Sequence, residues 1–192
     1  MAKPKLLLVD GSSLAFRAFF SILDLNRFKN ANGLHTNALY SFHRMFKSIL
    51  DSEKPTHVLV AWDAGKTTFR TEMYADYKGG RSKTPGEFIE QMPYFNVLLD
   101  AWGIPHYRLN QYEADDIIGT LAKEGEAAGY EVVVLSGDKD LIQLADNNIT
   151  VKITTKGVTE LVEYTPEVIF EKYGLTPEQI IDMKGLMGDS SD

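Results

Sequence analysis

Acidic residues recur along the chain where apolar segments end, and three of them fall within four consecutive positions. Glu113, Asp115 and Asp116 form that run. The helical spacing of the apolar residues that follow predicts a helix opening near Glu113 or Ala114, on which Glu113 and Asp116 share a face. A helix dipole favours acids in the first turn, which accounts for one or two of them. Three clustered carboxylates repel one another, and bound metal ions usually supply the compensating charge.

The same pattern of an apolar run followed by an acid appears at three further places, and a Gly-Asp-Ser-Ser-Asp segment lies at positions 188–192. The full candidate set is Asp10, Asp63, Glu113, Asp115, Asp116, Asp138, Asp140, Asp189 and Asp192. Each has a plainer interpretation on its own. Asp10 could be a structural strand-end acid, Asp140 could only cap a helix from Leu141, and the last two could belong to a solvated tail.

The chemistry of the candidate ligands selects among metals. All are hard carboxylate oxygens, and none of the four histidines lies in an acidic motif, which favours Mg²⁺ or Mn²⁺ over Zn²⁺. Two such ions about 3.5–4 Å apart can activate a water, stabilise charge on a phosphoryl group and hold the leaving oxygen. Nucleases use this arrangement, so the acids predict a two-metal site for Mg²⁺ or Mn²⁺.

Strands that alternate with helices predict an α/β fold with a mostly parallel central sheet flanked by helices. The predicted strands are 5–10, 56–63, 104–109 and 131–135, with a hairpin over 148–164 around Lys156-Gly157. The predicted helices are 14–23, 36–52, 84–102, one from Glu113, one from Leu141, and two that start at Thr165-Pro166 and Thr176-Pro177. Ser12 or Ser13 would cap the first helix, and Thr84 would cap the third, which has a possible kink at Pro93. Ligands of such folds sit outside the carboxyl ends of the strands, so the acids are expected on one rim of the sheet.

A basic stretch separates the second strand from the next helix. Positions 66–83 carry five lysines and arginines against two acids, a local net charge of +3. The segment from 64 to 84 is too long for an ordinary connection, and such loops are usually functional or disordered. The chain has a net charge of −7, and setting the nine candidate acids aside leaves +2 for the remainder. An acidic protein can thus present a phosphate-facing basic surface, although a solvated loop with Tyr74 and Tyr77 as its internal packing is the alternative.

Composition excludes several classes. The 192 residues are 44% hydrophobic, with no apolar run long enough to span a bilayer, and Met1–Lys5 does not resemble a signal peptide. Without cysteine there are no disulfides or thiolate metal sites, and a cytoplasmic setting is expected. The sequence contains no glycine-rich phosphate motif, nucleophile elbow or HExxH helix.

As a set, these motifs resemble the flap endonuclease family, which includes the 5′-nuclease (5′-3′ exonuclease) domain of bacterial DNA polymerase I. The matching segments are Leu8-Val9-Asp10-Gly11, Phe16-Arg17, Ala61-Trp62-Asp63, Tyr77-Lys78-Gly79-Gly80-Arg81, Tyr112-Glu113-Ala114-Asp115-Asp116, Ser136-Gly137-Asp138-Lys139-Asp140 and Gly188-Asp189-Ser190-Ser191-Asp192. The resemblance implies a PIN-like 5′-nuclease fold and a metal-dependent nuclease that removes 5′ flaps and RNA primers in replication and repair. It also implies DNA with a 5′ flap or 5′ end as partner and a place in a longer polymerase chain.

The resemblance also implies roles for single residues. One metal site would use Asp10, Asp63, Glu113, Asp115 and Asp116, and the second would use Asp138, Asp140, Asp189 and Asp192. Arg17, Lys78 and Arg81 would contact the scissile phosphate, with Tyr77 stacking beside them. The charge of the basic stretch adds Lys66, Arg70 and Lys83 as expected DNA contacts. The segment 64–84 would form the helical arch or flexible clamp. Family members continue into a duplex-binding helix–turn–helix module, which is missing from this sequence.

Two other functions compete with the nuclease. A phosphatase or phosphotransferase would use Asp10 as nucleophile, but Asp10-Gly11-Ser12 lacks the second Asp that such enzymes usually carry two residues later. A non-catalytic nucleic-acid-binding module is the other, and the acids argue against it because carboxylates without metal repel phosphate.

Overall fold

The central sheet begins with a strand made almost entirely of Leu and Val. In the computed structural model, which describes residues 3–65, 68–74, 83–155 and 160–188, six strands form one sheet in the order β3-β2-β1-β4-β5-β6. The strands are β1 (Lys5–Asp10), β2 (His57–Trp62), β3 (His106–Arg108), β4 (Glu131–Ser136), β5 (Ile149–Thr154) and β6 (Leu161–Tyr164). All neighbours are parallel except β5 and β6, which pair antiparallel. The predicted mostly parallel sheet and the antiparallel strands of the hairpin are therefore confirmed, whereas the predicted turn around Lys156-Gly157 lies outside the described residues.

The two faces of β1 bury different cores, because successive side chains of a strand point to opposite sides. Leu7 and Val9 pack into one cluster with Phe42 and Phe95, whereas Leu8 packs into a second cluster with Ile118. All three β1 side chains are fully buried. A continuous apolar run is what a strand covered on both faces requires, which explains why β1 lacks the alternation of a half-exposed strand.

Eight α-helices lie within the described residues. They are α1 (Gly11–Phe20), α2 (Asn37–Glu53), α3 (Phe69–Met73), α4 (Gly86–Ile89), α5 (Met92–Ala101), α6 (Ala114–Ala127), α7 (Pro166–Tyr173) and α8 (Pro177–Met187). Residues of α1, α2, α4 and α5 belong to the first cluster, and residues of α6, α7 and α8 belong to the second. The predictions for α2, α6, α7 and α8 are confirmed to within a few residues.

The single helix predicted over 84–102 is wrong, because the chain breaks into α4 and α5. Gln91 lies at the break with its side chain fully buried. Its Oε1 accepts hydrogen bonds from the backbone N–H groups of Ala38 (3.0 Å) and Leu39 (3.3 Å), and its Nε2 donates to Asn37 Oδ1 (2.9 Å). Gln91 thus supplies the cap that α2 lacks locally. Pro93 stands in the first turn of α5, where its missing N–H is no loss.

Three other boundaries differ from prediction. α1 is capped by Asp10, not by Ser12 or Ser13, since Asp10 Oδ1 accepts from Ser13 N at 2.9 Å. The helix predicted from Leu141 is a 3₁₀ helix, Lys139–Leu144, and its cap is Asp138 rather than Asp140. The strand predicted over 104–109 contracts to β3. Within the described residues, no helix combines the length and apolar character that crossing a membrane would take.

Candidate metal centre

Three adjacent strands, β2, β1 and β4, deliver acids to the same edge of the sheet. Asp10 is the last residue of β1, Asp63 follows β2 directly, and Asp138 follows β4 after one intervening glycine. Parallel strands place their carboxyl ends together, so this grouping is a direct product of the topology. The N-terminus of α6, with its three acids, lies beside this edge, because Ala114 N donates to Asp63 Oδ1 at 2.8 Å.

Asp10 is the buried member of the group, with a relative exposure of 3%. Its Oδ1 accepts from Ser13 N at 2.9 Å, and its Oδ2 accepts from the Ser136 hydroxyl at 2.6 Å. Burial raises the pKa of Asp10 to about 6, because the charged form loses hydration; the hydrogen bonds from Ser136 and Ser13 oppose the shift, and the charges of Asp63 and Asp138 add to it. A nearby cation would therefore stabilise the ionised form of Asp10.

Three serine hydroxyls tie the acid-bearing segments together. The Ser12 hydroxyl accepts from Asp63 N (2.9 Å), and the Ser13 hydroxyl accepts from Gly137 N (2.8 Å). Ser136 bonds Asp10 and also accepts from Asp138 N at 2.9 Å. Sequence reasoning assigned Ser12 and Ser13 only as alternative helix caps and gave Ser136 no role. The signal available in the sequence was their position next to the acidic motifs.

A second group of acids lines an open pocket of about 400 Å³ at the start of α6. Glu113, Asp115 and Asp116 line it from one side and Asp140 from the other. The guanidinium of Arg70 reaches in from α3 and donates two hydrogen bonds of 2.8 Å to the two carboxylate oxygens of Asp116. Its Nη1 is also 3.9 Å from Glu113 Oε2. An arginine cation therefore balances part of the negative charge of this pocket.

Asp140 has a cationic neighbour as well. Lys184, in the last turn of α8, places its Nζ 2.8 Å from Asp140 Oδ1. Both side chains are more than a third exposed, so solvent screens this pair. The contact nonetheless ties α8 to the 3₁₀ helix, and Lys184 is a site residue that sequence reasoning missed.

Arg17, predicted to contact the scissile phosphate, is engaged within the protein. Its Nη2 donates to Gly137 O at 2.7 Å and its Nη1 donates to Thr155 O at 3.0 Å. A β-carbon at position 137 would collide with the side chains of Arg17 and Ser13, so their close approach to the backbone requires glycine. Arg17 thus holds the loop that carries Asp138 against α1.

Several predicted site residues lie outside the described residues: Lys66, Tyr77, Lys78, Arg81, Asp189 and Asp192. Lys83 is described and exposed, just before α4. The predicted arch, 64–84, is thus described only in part, and that part includes α3. α3 is anchored near the pocket, because Phe69 N donates to Gln111 O at 3.0 Å and the Phe69 ring contacts the Tyr112 ring.

The donor set fits a hard divalent cation in its chemistry, since every candidate in the described part of the site is a carboxylate. Among the described residues, however, no three acidic or histidine side chains stand in an arrangement that would hold a metal ion as they are. Arg70 donates to both carboxylate oxygens of Asp116, so one candidate ligand already has a cation beside it. A metal ion at Asp116 would meet the positive charge of Arg70, which competes with it for this carboxylate.

Relatives of known identity match the chain along nearly its whole length. The chain is 62% identical to DNA polymerase I of Streptococcus pneumoniae (strain ATCC BAA-255 / R6), over 100% of this chain and 22% of that protein. It is 63% identical to DNA polymerase I of Bacillus subtilis (strain 168), over 99% of this chain and 21% of that protein. The chain thus spans about a fifth of the length of these relatives.

Solved structures give the same picture. T5 5′-exonuclease with bound divalent metal ions (zinc) superposes with a TM-score of 0.72 at 26% identity, covering 98% of this chain and 68% of that one. A T5 flap endonuclease in a pseudo-enzyme-product complex with DNA and metal ions superposes with a TM-score of 0.70, also at 26% identity and with the same coverage. The predicted fold of a 5′ nuclease is confirmed.

The family model described as "5'-3' exonuclease, N-terminal resolvase-like domain" matches residues 5–174. That span begins with β1 and ends just after α7, so it contains every strand and all the described acids of the site. This chain therefore belongs to the 5′-3′ exonuclease family, as its N-terminal resolvase-like domain.

Proposed function

We infer that this domain is a divalent-metal-dependent 5′ nuclease, which hydrolyses phosphodiester bonds of DNA at a 5′ flap or 5′ end and removes RNA primers in replication and repair. One observation carries the inference: seven acids from the ends of β1, β2 and β4 and the start of α6 gather at one edge of the sheet. Seven carboxylates at one edge attract cations and repel the phosphates of a nucleic acid. Bound metal ions would reverse the local charge and allow a phosphate to bind.

Mg²⁺ or Mn²⁺, two ions in all, are the cofactors that this donor set favours. Asp10, Asp63, Glu113, Asp115 and Asp116 would hold one ion, and Asp138 and Asp140 would contribute to the second together with Asp189 and Asp192. Bound ions would lower the pKa of an attacking water and stabilise charge on the scissile phosphate. T5 5′-exonuclease, related in fold, was crystallised with divalent metal ions (zinc), and the T5 flap endonuclease with DNA and metal ions, which supports a divalent-metal cofactor and a DNA substrate.

The protein's own residues prepare the site in two ways. The hydrogen bonds from Ser13 and Ser136 fix the plane of the Asp10 carboxylate before any ion arrives. Arg17 and Gly137 fix the loop that carries Asp138. In the bound complex, Arg17, Lys78 and Arg81 would contact the scissile phosphate and Tyr77 would stack on a base. Lys66, Arg70 and Lys83 would add phosphate contacts, which position a nucleic acid without reading its sequence.

The phosphotransferase alternative needs Asp10 as an accessible nucleophile. In the structure Asp10 is buried, and each of its carboxylate oxygens already accepts a hydrogen bond. Such an environment suits a carboxylate that binds a metal ion better than a carboxylate that attacks a phosphate.

The test uses a duplex with an end-labelled 5′ flap, incubated with this chain and either Mg²⁺ or Mn²⁺. We expect short labelled fragments released by cleavage near the junction, and their loss in excess EDTA. A generic phosphomonoester runs in parallel. Undiminished cleavage in EDTA, or hydrolysis of the phosphomonoester alone, would contradict the proposal. A domain that contains Asp115→Asn, with the pocket otherwise intact, serves as the inactive reference.

A further inference from the structure

Ser136 links two acids that are assigned to different metal ions in the proposed function. It is the last residue of β4, and its side chain is fully buried. Its hydroxyl lies 2.6 Å from Asp10 Oδ2 and 2.9 Å from Asp138 N. Asp10 belongs to the set expected to hold one ion, and Asp138 belongs to the set expected to hold the other. One hydroxyl thus contacts a member of each set.

The direction of both hydrogen bonds is fixed by chemistry. The backbone N–H of Asp138 can only donate, and an ionised carboxylate can only accept. The single hydroxyl proton of Ser136 therefore points at Asp10, while an oxygen lone pair receives Asp138 N–H. Bonds to a charged acceptor are short and strong, in keeping with 2.6 Å.

The consequence is a carboxylate held at both oxygens. Ser13 N fixes Asp10 Oδ1 and Ser136 fixes Oδ2, so the carboxylate cannot rotate without losing one bond. Each oxygen keeps a further lone pair for a metal ion. Partners that orient a ligating group in this way typically contribute 10–100-fold to metal affinity.

We propose that Ser136 is a positioning residue that aligns the Asp10 carboxylate for its metal ion and sets the loop of Asp138 relative to it. The inference deepens the proposed function and rests on it. Ser136 touches neither substrate nor ion in this role. It acts through Asp10 and through the backbone of Asp138.

A neighbouring residue offers a control: a buried hydroxyl at the end of an adjacent strand that makes no hydrogen bond to the described acids. Thr154 ends β5, is 1% exposed, and its hydroxyl has no hydrogen-bond partner among the described residues. Thr154→Val removes that hydroxyl at nearly constant shape. It is a matched control for Ser136→Ala, because both variants remove one buried hydroxyl from the end of a strand in the same sheet.

The experiment measures Mn²⁺ binding by electron paramagnetic resonance without DNA, and thermal unfolding in EDTA, for the parent, Ser136→Ala, Ser136→Thr and Thr154→Val. We expect Ser136→Ala to weaken Mn²⁺ binding 10–100-fold. Ser136→Thr keeps the hydroxyl and should bind within about threefold of the parent. Thr154→Val should match the parent. If the extra methyl of Ser136→Thr prevents folding, Ser136→Cys, a weaker donor of similar size, should fall between parent and Ser136→Ala.

Equal Mn²⁺ affinity in Ser136→Ala and the parent would overturn the inference, and so would equal weakening in Ser136→Ala and Thr154→Val. Flap cleavage by the parent separates a failure of the Ser136 inference from a failure of the proposed nuclease function. A parent that binds Mn²⁺ and cleaves the flap, with Ser136→Ala unchanged, defeats only the role of Ser136. A parent that binds no Mn²⁺ and cleaves nothing defeats the proposed function as well.

Discussion

The guanidinium of Arg70 pairs with both carboxylate oxygens of Asp116, through two hydrogen bonds of 2.8 Å. The pair joins α3, in the segment expected to form the arch, to the first turn of α6. A residue predicted to contact DNA is thus bound to a residue predicted to ligate metal. Binding of an ion by Asp116 would therefore alter a contact that holds α3.

Removing the charge of Arg70 should strengthen metal binding in the absence of DNA. Arg70→Gln eliminates a cation that competes for Asp116, so the Mn²⁺ affinity should rise about 3- to 10-fold, a modest part of the attraction between close charges in a partly exposed site. Mn²⁺ titration without DNA measures it. Lys83→Gln removes an exposed cation from the same stretch and should leave the affinity unchanged. A weaker Mn²⁺ affinity in Arg70→Gln would contradict the competition between arginine and metal.

The buried Asp10 should make the metal-free protein less stable as the pH rises. Burial raises the pKa of Asp10 from 3.8 to about 6, so the folded state holds this proton more tightly than the unfolded state does. The stability contribution is therefore lost as the pH rises from about 4 to about 6, by about 3 kcal/mol.

Asp10→Asn cannot ionise and should melt higher than the parent, by about 6–12 °C at pH 8 in EDTA, with the gap shrinking toward pH 5. Thermal unfolding across this pH range is the measurement. Asp182→Asn, on the exposed surface of α8, controls for the loss of one negative charge. A constant difference between Asp10→Asn and the parent at every pH would show that ionisation of Asp10 is not the cause.

Lys78 lies outside the described residues and is expected to act on the phosphate. Lys78→Ala should lower the cleavage rate about 10²- to 10³-fold if its charge stabilises the transition state. DNA affinity should fall less than about tenfold, because one phosphate contact is lost. Single-turnover cleavage beside a binding titration separates the two effects, with Lys83→Ala as the comparison. Equal losses in rate and affinity would make Lys78 a plain binding residue.

The capping of α2 by Gln91 predicts a stability effect far from the acids. Gln91→Ala leaves the buried N–H of Ala38 and the amide oxygen of Asn37 without this partner, at a cost of about 2–4 kcal/mol. Denaturant unfolding measures the loss. Gln91→Leu restores most of the volume but none of the hydrogen bonds and should remain destabilised. Recovery of stability in Gln91→Leu would assign Gln91 to packing instead of capping.

Much of the fold could be predicted because its strongest signals are local. β1 and β4 are short unbroken apolar runs, and α6 has clear helical periodicity. The break between α4 and α5 could not, since it depends on Gln91 reaching the N-terminus of α2, more than 50 residues earlier. The 3₁₀ form of Lys139–Leu144 also escaped, because apolar spacing over six residues does not separate it from an α-helix.

The candidate site divides in the same way. Acids after parallel strands must share an edge, so the neighbourhood of Asp10, Asp63 and Asp138 could be predicted from topology alone. The partners of these acids could not. Ser136 meets Asp10 across 126 positions of sequence, and Arg70 meets Asp116 across 46. Neither spacing has a local signature, and the commitment of Arg17 to two backbone carbonyls has none either.

The separation of Asp10 and Ser136 by 126 positions also delays completion of the site during synthesis of the chain. A chain made at about 5–20 residues per second completes Asp10 roughly 6–25 seconds before Ser136 exists. Pairing of β1 with β4 must then close this long stretch of chain, a slow kind of folding step. A chain still being synthesised on the ribosome should therefore lack the proposed nuclease activity until β1 and β4 have paired.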